Sequence, residues 1–217
     1  MTGRSICIRS TILFPERGVR VSVSFWLILA VAALISPLQV VVSVLLAAVL
    51  HEGGHLLLLW LLRVPVEGLR LSALGAELFA RGAQRLSYGR ELLVTLAGPA
   101  ANLFAAVIAA ALSLHTRWEG GYLFAGANII LGAYNLLPIL PLDGGRILYL
   151  VTAFFFGPMV GDAVAAVTGT VCALSLLALG LYFSFVSGSG MFFLLAACSL
   201  LCGALPQLRL AKNAVKV

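Results

Sequence analysis

Long apolar runs, interrupted by proline, glycine and charge, set the pattern of this chain. Six can be counted: about 21–36, ending at Pro37; about 38–62; about 91–114; a run from about 121 that breaks up at Pro138 and Pro141; about 160–184; and about 191–205. Crossing a hydrocarbon core takes about 20 residues as a helix. The pattern therefore predicts an all-α polytopic membrane protein with about six transmembrane helices. The first run is short, and is expected to lean on the Val19–Ser24 stretch or to thin the bilayer locally. Between Arg63 and Arg90 the period changes. Val64-Pro-Val-Glu-Gly-Leu-Arg-Leu and Ala76-Glu-Leu-Phe-Ala alternate apolar and polar, with glycines at Gly68, Gly75 and Gly82. That alternation predicts a short membrane-associated β-hairpin or dipping loop after the second span. No separate soluble domain or internal repeat is visible, so residues 1–217 read as one domain with a core at about 38–147 and extra spans at about 21–36 and 160–205.

Composition agrees. The chain is 62% hydrophobic and 10% charged, against about 45–50% and about 25% in globular domains, and its mean hydropathy is +1.10. Disordered, disulfide-scaffold and nucleic-acid-binding classes are excluded, and no nucleic-acid partner is expected. The lipid bilayer is the partner this composition demands. The net charge of +6 then bears on orientation. With six spans every Lys and Arg except Arg117 falls on one face, and the positive-inside rule makes that face cytoplasmic. Both termini are expected inside a bacterial or archaeal cell membrane. A basic stretch precedes the first span, but no small-residue cleavage site follows, so an uncleaved span is expected. The four cysteines, Cys7, Cys172, Cys198 and Cys202, lack C-x-x-C spacing and read as apolar fillers.

Chemistry enters in the second span, at His51-Glu52-Gly53-Gly54-His55. Histidines at i and i+4 share a helical face, so both imidazoles can reach one metal. Glu52, about 100° from His51 around the helix, is left free to hold a water on that metal. Three ionisable groups roughly 10–16 Å from the predicted cytoplasmic end, at 1.5 Å per residue, are expensive at membrane depth and need a compensating partner.

Catalytic zinc ordinarily takes three protein ligands and a water. His115 lies at the far end of the third span, beside Arg117 and Glu119, and reads as interfacial. Asp162 near the start of the fifth span reads as a helix-terminal or solvent-facing carboxylate. Asp143 ends the fourth span in Asn135-Leu-Leu-Pro138-Ile-Leu-Pro141-Leu-Asp143-Gly144-Gly145-Arg146. Two prolines three apart stop a regular helix, and irregular backbone at membrane depth survives only against protein or a watery cavity. A third ligand suits that place, and so does a plain helix terminus with a turn.

H-E-x-x-H in one span and N-x-x-P-x-x-x-x-D-G near the end of a later one resemble the signature pair of the site-2 protease family of intramembrane zinc metalloproteases. Gly98-Pro99-Ala-Ala-Asn102 resembles that family's G-P-x-x-N in its middle core helix. The similarity covers roughly Leu38 to Ile147, and one span before H-E-x-x-H looks like the branch of the bacterial stage IV sporulation factor protease. The resemblance implies zinc held by His51, His55 and Asp143, with Glu52 as general base. It implies that Asn135 and Pro138 bind the unwound backbone of a single-span membrane-protein substrate. Neither a PDZ module nor a C-terminal CBS domain is recognised, which implies a minimal core or a regulatory membrane partner in regulated intramembrane proteolysis. Two other classes remain. A proteolytically inactive relative that binds membrane clients would keep the fold without the chemistry. A divalent-metal transporter fits less well, because one tight cluster replaces a pathway of ligands and inverted repeats are not evident.

Overall fold

The computed structural model describes residues 18–72, 75–80, 86–187, 198 and 200–201. Most of the expected sixth span and both basic terminal segments lie outside the described residues. Strand β1 (Gly18–Val21) leads into helix α1 (Val23–Ile35), followed by α2 (Leu38–Leu61), strands β2 (Val66–Ser72) and β3 (Gly75–Ala80), and helices α3 (Tyr88–Thr116), α4 (Glu119–Asn135), α5 (Asp143–Phe156) and α6 (Pro158–Ser187). Among the described residues α2, α3 and α6 are long and apolar enough to cross a membrane, and the protein is a helical membrane protein.

The expected hairpin is present: β2 and β3 pair antiparallel, with Arg70 opposite Glu77 and a register shift between Val66 and Gly68. The stretch from Gly18 to Val21 departs from expectation. It does not lengthen the first span but runs parallel to β2, with Val19 opposite Leu69, and completes a three-stranded sheet ordered β1-β2-β3. The Ser22 N–H then donates to the Leu71 carbonyl, tying the start of α1 to that sheet. Helix α1 keeps 13 residues, about 20 Å at 1.5 Å per residue, and none of them is buried.

The fourth run also differs from expectation. It does not end at Asp143; it resumes there. Helix α4 runs antiparallel to α3, with Gly121 facing Ser113, the Asn128 and Asn102 amides bonded, and Gly132 lying over the Pro99 carbonyl. After the irregular link 136–142, α5 continues in the same direction. Arg146 meets Glu91, and Tyr149, Leu150 and Ala153 pack with Ala165 against Tyr88 and Leu92 near the start of α3. Helices α4 and α5 are thus two halves of one broken crossing. Arg146 lies inside α5. Helix α6 returns alongside, placing Gly161 at Ala153 and Gly169 over Pro138 and Ile139 of the link.

Helices pack closely because small residues line their crossings, the usual device where lipid gives no hydrophobic drive to association. At Gly54 of α2, a β-carbon would fall 2.9 Å from the Ala101 methyl and closer still to the Ala97 carbonyl. Link and α5 are equally tight. A β-carbon on Gly144 or Gly145 would overlap backbone of Leu136, Leu137, Ile139 and Leu140. The two glycines therefore let the link fold back over the first turn of α5. They bring Asp143 to the depth of the histidines.

Candidate metal centre

The side chains of His51, His55 and Asp143 converge. Each offers a ligand atom, and all three atoms lie within 4.8 Å of one another. His51 and His55 are 4% and 8% exposed, one turn apart on α2, with their Nε2 atoms 3.2 Å apart. Asp143 Oδ2 stands 3.0 Å from His51 Nε2 and 3.3 Å from His55 Nε2. Asp143 opens α5 as its first residue and turns its carboxylate into the cluster.

Hydrogen bonds fix which nitrogen faces inward. The His55 Nδ1–H donates to the Val94 carbonyl at 2.7 Å, which leaves Nε2 with its lone pair free. His51 Nδ1 lies 2.8 Å from Asn102 Oδ1. The Asn102 amide nitrogen in turn donates to the Ala47 carbonyl (3.3 Å) and to Asn128 Oδ1 (3.2 Å). Asn128 is anchored by its own donation to the Phe124 carbonyl at 2.9 Å. Asn102 therefore presents its oxygen to His51 and accepts the Nδ1 proton. Both asparagines are 0% exposed.

Two imidazole lone pairs and a carboxylate oxygen thus point at one another. Asp143 Oδ2 is buried and has no hydrogen-bond partner, although buried acceptors are ordinarily satisfied. A cation resolves that arrangement. Zinc lies about 2.0–2.1 Å from nitrogen and about 2.0–2.2 Å from oxygen, so tetrahedral donors sit roughly 3.3 Å apart, and the observed separations of 3.0, 3.2 and 3.3 Å match. Gly98 of α3 backs onto the cluster: a β-carbon there would fall 2.6 Å from His55 Cε1 and 2.8 Å from His51 Nε2. These residues fit a zinc ion.

Glu52 is half-buried beside them, near enough for its charge to act on His55, His51 and Asp143. Among the described residues nothing lies within 4 Å of where a β-carbon on Gly53 would stand. Asn135 closes α4 and donates to the Leu131 carbonyl at 3.1 Å, and Pro138 lies in the link. Both stand on the segment that ends at Asp143, outside the three-residue cluster. His115 ends α3 on the far side, as expected, and Asp162 lies in α6. The residues whose roles the sequence left unread are Asn102, Asn128, Glu91 and Arg146. Buried amides and an internal ion pair in otherwise apolar runs are the signal that marks them.

Comparison with known proteins follows the same lines. Residues 117–179, from the end of α3 through the link and α5 into α6, match the peptidase family M50 profile. The zinc metalloprotease MJ0392 of Methanocaldococcus jannaschii is 27% identical over 162 residues, covering 72% of this chain and 44% of that protein. Stage IV sporulation protein FB of Bacillus subtilis is 31% identical over 132 residues, covering 58% of this chain and 44% of that protein. The chain thus spans less than half the length of these relatives. The solved site-2 protease from Methanocaldococcus jannaschii shares the fold, with a TM-score of 0.66 over 87% of this chain and 89% of that one at 23% identity. Signature residues, matched segment and shared architecture agree: the chain resembles peptidase family M50 over residues 117–179 and shares the fold of a solved site-2 protease.

Proposed function

We propose that the protein is an intramembrane zinc metalloprotease that hydrolyses peptide bonds within or near transmembrane segments of single-span membrane proteins, in regulated intramembrane proteolysis. The observation that carries this reading is the convergence of His51, His55 and Asp143 at a break in a membrane crossing. His51, His55 and Asp143 would hold the metal. When bound, zinc supplies Lewis acidity toward the scissile carbonyl and makes water a nucleophile at neutral pH.

The chain's own residues do the rest. Glu52 takes the proton from the attacking water and passes it to the leaving amine. Asn102 and the Val94 carbonyl hold the two imidazoles in the tautomer that leaves Nε2 free. Peptide bonds of a membrane helix are shielded by their own hydrogen bonds, so the substrate must unwind before attack. Asn135 and Pro138 receive that unwound strand; the Asn135 amide then exchanges its Leu131 carbonyl for substrate backbone. The enzyme sits as a multi-pass protein in the cell membrane with both termini cytoplasmic. A regulatory membrane partner controls access.

The test is bound metal and cleavage of a single-span model substrate by the detergent-purified protein, beside Glu52→Gln. One zinc per chain in both, with cleavage in the wild type alone, is the expected result. Zinc in both without cleavage would favour a client-binding relative. A folded wild type that retains no zinc would overturn the reading.

A further inference from the structure

The third ligand stands on a segment that regular helix geometry does not hold in place. His51 and His55 are spaced by α2 itself, whereas Asp143 follows seven residues of irregular link. Something must set the distance between the two. Three residues after Asp143, Arg146 sends its Nε–H to Glu91 Oε1 at 2.8 Å, and its Nη2 reaches the same oxygen. Its guanidinium also lies 5.0 Å from the centre of the Tyr149 ring, which is 2% exposed. Three residues after Glu91 is Val94, whose carbonyl holds His55. One turn of α3 therefore grips the site twice: once at a histidine, and once at the turn that carries the aspartate.

We propose that Glu91 and Arg146 are positioning residues for the metal ligand Asp143. Their ion pair clamps the first turn of α5 to the turn of α3 that orients His55, and so sets the gap in which Oδ2 meets both Nε2 atoms. The pair has the properties the task needs. Both side chains are about one quarter exposed, so water screens their attraction less than at an open surface. The guanidinium gives two N–H groups to one oxygen and is backed by an aromatic face, which fixes direction as well as distance. The proposal rests on zinc binding at His51, His55 and Asp143.

The test measures zinc affinity of the full chain in detergent by competition with a chromophoric chelator, together with the absorption spectrum of the cobalt-loaded protein. Glu91→Gln and Arg146→Ala are each expected to weaken zinc binding about 10–100-fold, the usual effect of losing a contact that orients a ligand. The double variant is expected to lose no more than the worse single one. The cobalt spectra of these variants are expected to move toward that of Asp143→Ala. Exchanging the charges, Glu91→Arg with Arg146→Glu, is expected to recover part of the affinity. If Arg146→Ala does not fold, Arg146→Lys carries the measurement, since it keeps the charge and loses the fork. Wild-type affinity and spectrum in folded single variants would overturn the proposal, and so would losses that add in the double variant. Failure of the wild type to hold zinc would instead overturn the metal site beneath it.

Discussion

The site takes its donors from two kinds of backbone, and the contrast explains how each is secured. His51 and His55 ride an unbroken helix of 24 residues, where a four-residue spacing alone stacks two side chains. Asp143 comes from the break between α4 and α5, where no periodicity fixes anything. Around the helical pair the support is aimed at the rings, from the Val94 carbonyl and the Asn102 amide. Around the aspartate the support is aimed at backbone: two glycines pressed against carbonyls of the link, and a guanidinium bonded across to α3. A regular element needs its side chains oriented, whereas an irregular one must first be put in place.

Substitutions can break this contrast at several depths. The largest effect is expected from the proposed ligands themselves. Asp143→Ala or His55→Ala should lower zinc affinity by more than the roughly 10–100-fold that loss of a supporting contact costs, read by chelator competition. Equal, small losses for both would show that something else holds the metal. Next come the glycines. Ala ordinarily stabilises a helix relative to Gly by about 1 kcal/mol, yet Gly98→Ala would drive a methyl into the histidine pair, and Gly144→Ala into the Leu136 carbonyl. Each should lower stability by about 1–3 kcal/mol through overpacking, measured as a drop in Tm of the metal-free protein. Gly53→Ala, with open space at that position, should instead hold or raise Tm. Asn102→Leu should weaken zinc binding by about 10–100-fold, since His51 loses the acceptor that fixes its tautomer. The smallest effect is expected at Arg63, which follows α2 in the left-handed region at φ 55°. Arg63→Gly should stabilise by about 1 kcal/mol or less by removing that strain, read as a small rise in Tm without change in metal binding.

Much of this was legible in the residues. The H-E-x-x-H spacing is read directly from helical periodicity, and the β2–β3 hairpin from its alternation and glycines. Other features depend on tertiary pairing. Strand β1 is four residues long, and its parallel partner lies some fifty positions away, so no local pattern distinguishes it from the start of a span. Helix α5 is hidden by its opening residues: Asp143-Gly-Gly-Arg146 has the composition of an exit into water, and only the ion pair to Glu91 reveals that the helix goes on. Asn102 stands in a recognisable motif, but its role depends on which way its amide is turned. That is decided by Ala47 on α2 and Asn128 on α4, two helices away from any sequence neighbour.

The bonded asparagines bear on how the molecule is made. A lone α3 entering the bilayer would carry the Asn102 amide into hydrocarbon, and a lone α4 of 17 residues would carry Asn128 on a helix short for a crossing. Joined across Arg117 and Trp118, the two helices pair these amides through the bond from Asn102 to Asn128 Oδ1. They are therefore suited to leave the insertion machinery as a pair, and the pocket that will receive His51 is assembled in the same step that makes these helices acceptable to lipid.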